Sequence, residues 1–230
     1  MSSCVTPAHL VWDEEGRPFC PAFGDFYFSK QGGLEESRHV FLKGNNLPLA
    51  WEGRSSFVVG ECGFGSGLNL LALWELFLTC KEPLPSLHFV SFERYPLAKE
   101  DLVRAHALFP SIAPLARALH AVYPPLVEGV HTFWLGEVKV TLVWDWGDVA
   151  LESFPVVDAW FLDGFAPSKN EAMWDISLLK KIVSRSKKGT TFATFTAASR
   201  VRKGLEEAGF CVRKQQGYGK KREMSTGVLI

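Results

Sequence analysis

Seven consecutive residues, Glu61-Cys62-Gly63-Phe64-Gly65-Ser66-Gly67, carry the strongest chemical signal in the chain. They follow a short apolar run, SFVVGE from Ser56 to Glu61, and lead into Leu68–Cys80, which has helical length and apolar spacing. Glycines at 63, 65 and 67 allow a tight turn and let a ligand approach the backbone closely. The N-terminus of the helix that follows offers free N–H groups to a carboxylate or phosphate. Leu68 stands where G-x-G-x-x-G would need its third glycine. Glu61, two positions before Gly63, would repel a pyrophosphate and better suits the amine of S-adenosylmethionine. The plain alternative is a tight strand-to-helix turn with no ligand.

Three more acids lie where strands of such a fold would end. Glu93 closes Leu87–Glu93 (LHFVSFE), where a carboxylate can accept from both ribose hydroxyls or cap the next helix. Asp148, in Trp146-Gly147-Asp148, can accept from an adenine amino group or serve as a helix N-cap. Asp163 ends Val156–Asp163 (VVDAWFLD) and opens Gly164-Phe165-Ala166-Pro167. It can orient an attacking amine and accept its proton, or be a solvated acid in a rigid loop. Between 198 and 223 eight basic residues face three acids: Arg200, Arg202, Lys203, Arg213, Lys214, Lys220, Lys221 and Arg222 against Glu206, Glu207 and Glu223. Gly217-Tyr218-Gly219 lies among them, and an aromatic among cations suits a nucleic acid backbone and base. A solvated basic face is the bland reading. Near the N-terminus, Asp25–Ser29 and Gly33–Arg38 mix aromatics with charge. They either cover the site or add a layer to the sheet, and spacing leaves both open.

The elements that must position these groups alternate. Phe26-Tyr27-Phe28 and Val40-Phe41-Leu42 read as short strand-like pieces. After the glycine loop, helices fit near 97–109 and 111–121, a strand fits Glu137–Trp144, and a helix fits 173–186, ending at Lys187-Lys188-Gly189. Thr190–Thr196 reads as a strand, 198–208 as a helix stopping at Gly209, and 210–216 and 224–229 as strands around a Gly turn. Alternation implies a parallel sheet covered on both faces, and the short last connection implies an antiparallel hairpin. The expected fold is therefore α/β and Rossmann-like, with a mostly parallel seven-stranded sheet ending in that hairpin. This is the arrangement of the class I methyltransferases. Residues 1–56 are expected as an extension packed on a catalytic domain spanning 57–230.

Composition agrees with a globular chain. There are 230 residues, 25 Lys+Arg balance 25 Asp+Glu, and 47% of residues are hydrophobic, which excludes disordered and fibrous classes. The most apolar stretch, 57–80, is interrupted by Glu61, Glu75 and glycines, so no membrane helix is expected. MSSCVTPAHLVWDEE lacks the basic and apolar regions of a signal peptide. Cysteines 4, 20, 62, 80 and 211 form no CxxC pair and no metal-ligand spacing with histidine. A reduced, cytoplasmic setting without a metal is expected, with Cys62 and Cys211 as small core residues.

FGDFYFSKQGGLEESRHVF, ECGFGSGLN, SFERYPL, DAWFLDGFAPSKNEAMW, TFATFTAASRVRKGLEEAGF and GYGKKREMSTGVL occur in order across nearly the whole chain. Together they resemble the methyltransferase half of the bifunctional tRNA 5-methylaminomethyl-2-thiouridine biosynthesis family. The resemblance implies methyl transfer from S-adenosylmethionine to 5-aminomethyl-2-thiouridine at the tRNA wobble position. It implies cofactor contacts at Glu61, Gly63, Gly65, Glu93 and Asp148, within the Gly63/Gly65/Gly67 loop, and a catalytic acid at Asp163. Tyr27 or Phe165 would stack on the uridine, which is unpaired in an anticodon loop. Tyr218, Lys220, Lys221 and Arg222 would meet tRNA. The family's two-domain members continue into an FAD-dependent oxidase, for which this sequence has no second Gly-rich unit, so that part would be a separate domain or protein. Three other readings stay open: a methyltransferase for a small-molecule or protein amine, an NAD-linked oxidoreductase, and a non-catalytic tRNA-binding subunit. Leu68 and the terminal hairpin argue against the dehydrogenase, the basic hairpin against a small amine, and Glu61, Glu93 and Asp163 together against loss of catalysis.

Overall fold

A computed structural model describes residues 4–29 and 32–230. The chain opens with three very short strands, β1 (Val11–Trp12), β2 (Pro18–Cys20) and β3 (Asp25–Phe26), paired antiparallel. Helix α1 (Gly33–Ser37) runs on through a wider turn, Arg38–Lys43. Val40, Phe41 and Leu42 are therefore helical rather than a strand. All three are buried, and this burial outweighs their β propensity.

The main sheet then builds in order: β4 (Ser56–Cys62), α2 (Leu68–Thr79), β5 (Ser86–Glu93), α3 (Lys99–His106), α4 (Ala113–Val122), β6 (Gly129–Leu135), β7 (Val138–Trp144), α5 (Gly147–Ala150), β8 (Val157–Leu162), α6 (Ile176–Ser184), β9 (Ser186–Thr194), α7 (Ser199–Ala208), β10 (Phe210–Gln216) and β11 (Glu223–Leu229). Its strand order is β10-β11-β9-β8-β4-β5-β7-β6, with β9, β8, β4, β5 and β7 parallel. The hairpin β10–β11 and strand β6 add antiparallel edges.

The sheet thus has eight strands, not seven. Strand β6 escapes a pattern reading because Val130 and Trp134 point outward and exposed while Phe133 points the other way, so hydropathy does not alternate. The helix expected over 173–186 is shorter. Lys187 and Lys188 belong to β9, and Gly189 takes its φ of +89° inside a register irregularity between β8 and β9, not at a helix end. Thr190 Oγ1 donates to Val157 O at 2.7 Å and Val157 N to Arg185 O at 2.8 Å, which ties this stretch to β8.

Helix α2 is apolar nearly all round and lies inside one of two core layers. That layer also takes Val40, Phe41, Leu47 and Trp51 from the N-terminal segment, so this segment shares the core of the main sheet. The other face of the sheet packs Val90, Trp160 and Phe192 against Leu178, Ile182, Val201 and Leu205 of α6 and α7. Cys62 is buried, but Cys211 is exposed on the edge strand β10, contrary to the expectation of a core thiol.

The register levels the strand ends that matter. Cys62 lies opposite Phe92 on one side and Leu162 on the other, and Glu93 lies opposite Trp144. Strand order reverses between β4 and β8, the place where open α/β sheets bind ligands beyond their strand ends.

Candidate active site

A cleft of about 860 Å³ occupies that position. Gly63, Gly65, Glu93, Asp148, Asp163, Phe165 and Tyr27 all line it. The sequence-derived cofactor and acceptor groups therefore converge, with three exceptions. Glu61 and Gly67 do not line the cleft, and of the terminal basic group only Arg200 and Lys221 do.

Glu61 is fully buried beneath the floor. Its oxygens accept from Ser91 Oγ at 2.7 Å and Asn69 Nδ2 at 2.9 Å. Burial pushes this carboxyl well above the usual range, and the two donors hold it back. The expectation that Glu61 meets a ligand amine is corrected: two side chains take its oxygens inside the core. Asn69 connects it to the site, because the same amide nitrogen donates to Asp163 Oδ2 at 2.8 Å. Asp163 Oδ1 accepts from its neighbour Gly164 N at 2.8 Å. Half-buried at the end of β8, Asp163 is raised to about 6, by burial first and by Glu36 among the rest, while Gly164, Asn69 and Lys221 oppose the shift.

The glycine loop is largely self-satisfied. Gly63 N and Phe64 N donate to Phe92 O, Gly67 N donates to Phe64 O, and Gly65 N donates to Glu93 Oε2 at 3.0 Å. The loop's first three N–H groups are thus already used, and those of the first turn of α2 remain the ones offered to a ligand. Gly63 and Gly65 have φ of +80° and +52°, a conformation that L side chains rarely adopt, while a Cβ on either would meet only ordinary contacts with Asp163 O or the Tyr27 ring at 3.4 Å. Gly67 has a structural part: a Cβ there would lie 2.7 Å from the Phe64 ring. Ser66 O accepts from His106 Nε2 at 2.7 Å, and His106 Nδ1 accepts from His120 Nε2 at 2.8 Å. Burial pushes His106 down to about 4, which keeps the ring neutral in this chain of donors.

Glu93 accepts from Tyr95 N at 2.9 Å as well as from Gly65, so each oxygen is aimed by a backbone donor and keeps a lone pair. Burial raises it and these N–H groups lower it. Beside it Arg94 stacks on Trp146, 4.9 Å from the ring centroid, and Trp146 is half exposed at the rim next to Asp148. The donor set fits S-adenosylmethionine. Among the described residues seven acids and four bases line the cleft, Gly63 and Gly65 leave the loop backbone bare of side chains, and Glu93 has an acceptor on each oxygen to offer a diol.

The opposite half of the cleft comes from the N-terminal segment and the terminal hairpin. Phe165 stacks on Phe23 at 4.7 Å and meets Tyr27 edge-on at 5.2 Å. Asp25 accepts from Ala166 N at 3.1 Å. The N-terminal segment thus both covers the site and packs on the sheet. Lys221 Nζ pairs with Glu36 at 2.7 Å, so it faces the cleft. Lys220 and Arg222 are exposed outside the cleft, while Tyr218 is half-buried beside Gly32 and His39. Asn69, Glu36 and His106 were not legible as site residues. Asn69, the one amide in an apolar helix, was the available clue; Glu36 looks like an ordinary acid in a first helical turn.

Comparisons with known proteins give the family and the fold. A family model described as S-adenosyl-L-methionine-dependent methyltransferase matches residues 110–230. The chain is 46% identical to the tRNA 5-methylaminomethyl-2-thiouridine biosynthesis bifunctional protein MnmC of Aliivibrio fischeri, over 98% of this chain and 35% of that protein. It is 48% identical to the MnmC of Marinomonas sp., over 96% of this chain and 33% of that protein. The chain therefore spans about a third of the length of these curated relatives. Among solved structures, MNMC2 from Aquifex aeolicus superposes with a TM-score of 0.73 at 23% identity, covering 97% of this chain and 71% of that one.

Proposed function

This chain belongs to the S-adenosyl-L-methionine-dependent methyltransferases, and from that premise we propose that it methylates the aminomethyl nitrogen of 5-aminomethyl-2-thiouridine at the tRNA wobble position. The substrate reading rests on the biosynthetic product in the names of the relatives, which align over nearly the whole chain. The structural observation that carries it is Asp163, a carboxylate facing the cleft between the glycine loop and the aromatic cover.

When bound, the cofactor supplies an electrophilic methyl group on a sulfonium. Gly63 and Gly65 would let it lie against the backbone, Glu93 would accept from its ribose hydroxyls, and Asp148 from its adenine amino group. An alkylammonium near pKa 10.4 has no lone pair, so the site must take a proton from it. Asp163, raised to about 6, is ionised at neutral pH, yet more basic than an exposed aspartate, so it suits that transfer. Asn69 and Gly164 donate to it and fix its direction. Glu61 acts one step back by holding Asn69. Tyr27 and Phe165 would flank the unpaired base, while exposed Lys220 and Arg222 would meet tRNA phosphates, and Tyr218 would contact tRNA from the hairpin tip. Much of the acceleration would come from holding nitrogen and methyl in line. Residues 57–230 form the catalytic unit in this reading and 1–56 its cover; the setting is cytoplasmic, and a separate FAD-dependent oxidase domain or protein is a further partner.

The test is mass spectrometry of nucleosides from tRNA incubated with the protein and labelled S-adenosylmethionine. Label in 5-methylaminomethyl-2-thiouridine is expected. Label only in free amines or in protein would overturn the tRNA reading and leave the methyltransferase.

A further inference from the structure

The Lys221–Glu36 pair is unusual for its place. Glu36 is 8% exposed, on the inner face of α1, and it lines the same cleft as Asp163. Its Oε1 accepts from Lys221 Nζ at 2.7 Å. The ammonium also lies 4.4 Å from the centroid of the Phe195 ring. That ring is set edge-on against Trp174 at 5.9 Å, and Trp174 Nε1 donates to Phe165 O at 3.0 Å. A near-buried carboxylate and a braced aromatic face, both beside the reacting acid, are the parts of an alkylammonium site. Its occupant is a primary alkylammonium supplied by the chain itself.

We propose that Glu36 and Phe195 form the amine-recognition subsite, that Lys221 fills it in the substrate-free protein, and that the incoming aminomethyl group takes its place. This rests on the proposed transfer to an amine. Lys221 sits on the short connection between β10 and β11, and its side chain is 45% exposed against 11% for Glu36. One partner is therefore fixed and desolvated, while the other reaches in from the rim. An ion pair open to water on one side is weak, so the lysine leaves readily. Without any occupant, Glu36 would be a charge in a partly dry cleft with no counter-ion, an unfavourable state that the lysine relieves. The exchange of one ammonium for another leaves the charge of the cleft unchanged. A hydroxyl brings no charge to replace, and a carboxylate meets both Glu36 and Asp163. The subsite therefore selects amines before Asp163 takes a proton.

The test uses the full chain without cofactor and a matched pair of probes, 5-aminomethyluridine and 5-hydroxymethyluridine, with affinities measured by NMR titration. If Lys221 holds the subsite about nine-tenths of the time, Lys221→Met should tighten the aminomethyl probe about tenfold and leave the hydroxymethyl probe unchanged. Glu36→Gln should abolish the preference for the amine. The double variant K221M/E36Q keeps the net charge of the wild type and should lose the gain, which separates vacancy from simple loss of a positive charge. Should Glu36→Gln fail to fold, Phe195→Leu in the Lys221→Met background is the second variant and should lose most of the tenfold gain. Equal amine affinity in the wild type and Lys221→Met, or amine preference retained in Glu36→Gln, would overturn the proposal. The labelled-tRNA assay keeps the two readings apart. A protein that methylates tRNA without discriminating the probes loses the subsite alone, and one that discriminates but methylates no tRNA loses the proposed function alone.

Discussion

Replacing Asn69 with alanine tests how the buried network controls Asp163. One amide nitrogen donates to Glu61 at 2.9 Å and to Asp163 at 2.8 Å, and both donations favour the ionised carboxyls. A hydrogen bond to a charged group contributes about 1.5–3 kcal/mol, and the lower end applies here because water in the cleft can replace the amide at Asp163. About 1.4 kcal/mol corresponds to a tenfold change in ionisation. The Asp163 midpoint should therefore rise by about one pH unit from its starting value of about 6. The assay is kcat/KM against pH, which reports ionisation of the free enzyme. The free substrate amine adds a steady rise with pH, so the break in the acid limb is what is read. At pH 6.5 the ionised fraction should drop about threefold, and by pH 8.5 the two proteins should differ only by whatever orientation is lost. Stability supplies a second readout. Asp163 has a folded pKa raised from 3.8, so its contribution is full below 3.8 and is lost as pH rises through about 6. In Asn69→Ala that loss continues to about one pH unit higher, so its melting temperature should fall further behind the wild type between about pH 6 and 7. An acid limb with an unchanged break, or a stability gap that is flat with pH, would refute the link between Asn69 and Asp163.

Two other perturbations address the cofactor half. Glu93→Ala removes the acceptor for Gly65 N and Tyr95 N together with the lone pairs offered to the ribose, so S-adenosylmethionine affinity by calorimetry should fall about tenfold or more. Unchanged affinity would move the ribose elsewhere. His106→Ala leaves the buried Ser66 carbonyl without its donor and should cost about 1–3 kcal/mol in chemical denaturation. Because His106 is lowered to about 4, its stabilising contribution is present above 6.5 and is lost as pH falls toward 4; the variant should lack that part of the slope.

The cofactor half of the cleft was legible because it is local in sequence. Gly63, Gly65, Glu93 and Asp148 all lie at or within four residues of the end of a strand, and parallel strands in register bring their ends to one level. Depth was not legible. Glu61 and Glu93 are both acids at strand ends, and only the structure shows one sealed between Ser91 and Asn69 while the other opens on the cleft. Glu61 lies opposite Ser91, two residues short of Glu93 on the same face of the sheet, so the difference is one of depth along the strands. Charge clustering left two readings open, a nucleic-acid surface or a solvated basic face, and pairing is what sequence did not give: Arg200 pairs with Glu171, Lys214 with Glu223 and Lys221 with Glu36.

The acceptor half is non-local, and that explains both the readings left open and the way the site is built. Asp25, Glu36, Phe195 and Lys221 come from four separate stretches of the chain, joined only by the packing of the N-terminal segment and the terminal hairpin over the strand ends. His39 Nε2 lies 2.9 Å from Gln216 O, and Tyr218 packs against the same helix, so the hairpin is docked on α1 beside the Lys221–Glu36 pair. Asp163 is held from below by Asn69, itself bonded to Glu61, while the groups proposed to face the amine are contributed from above by elements that cover the sheet. Affinity for the cofactor and selection of the acceptor therefore rest on different parts of the chain. Glu93→Ala should leave the probe preference of the free protein intact, and Glu36→Gln should leave S-adenosylmethionine affinity intact. Loss of both properties in either variant would show that the two halves of the cleft act as one.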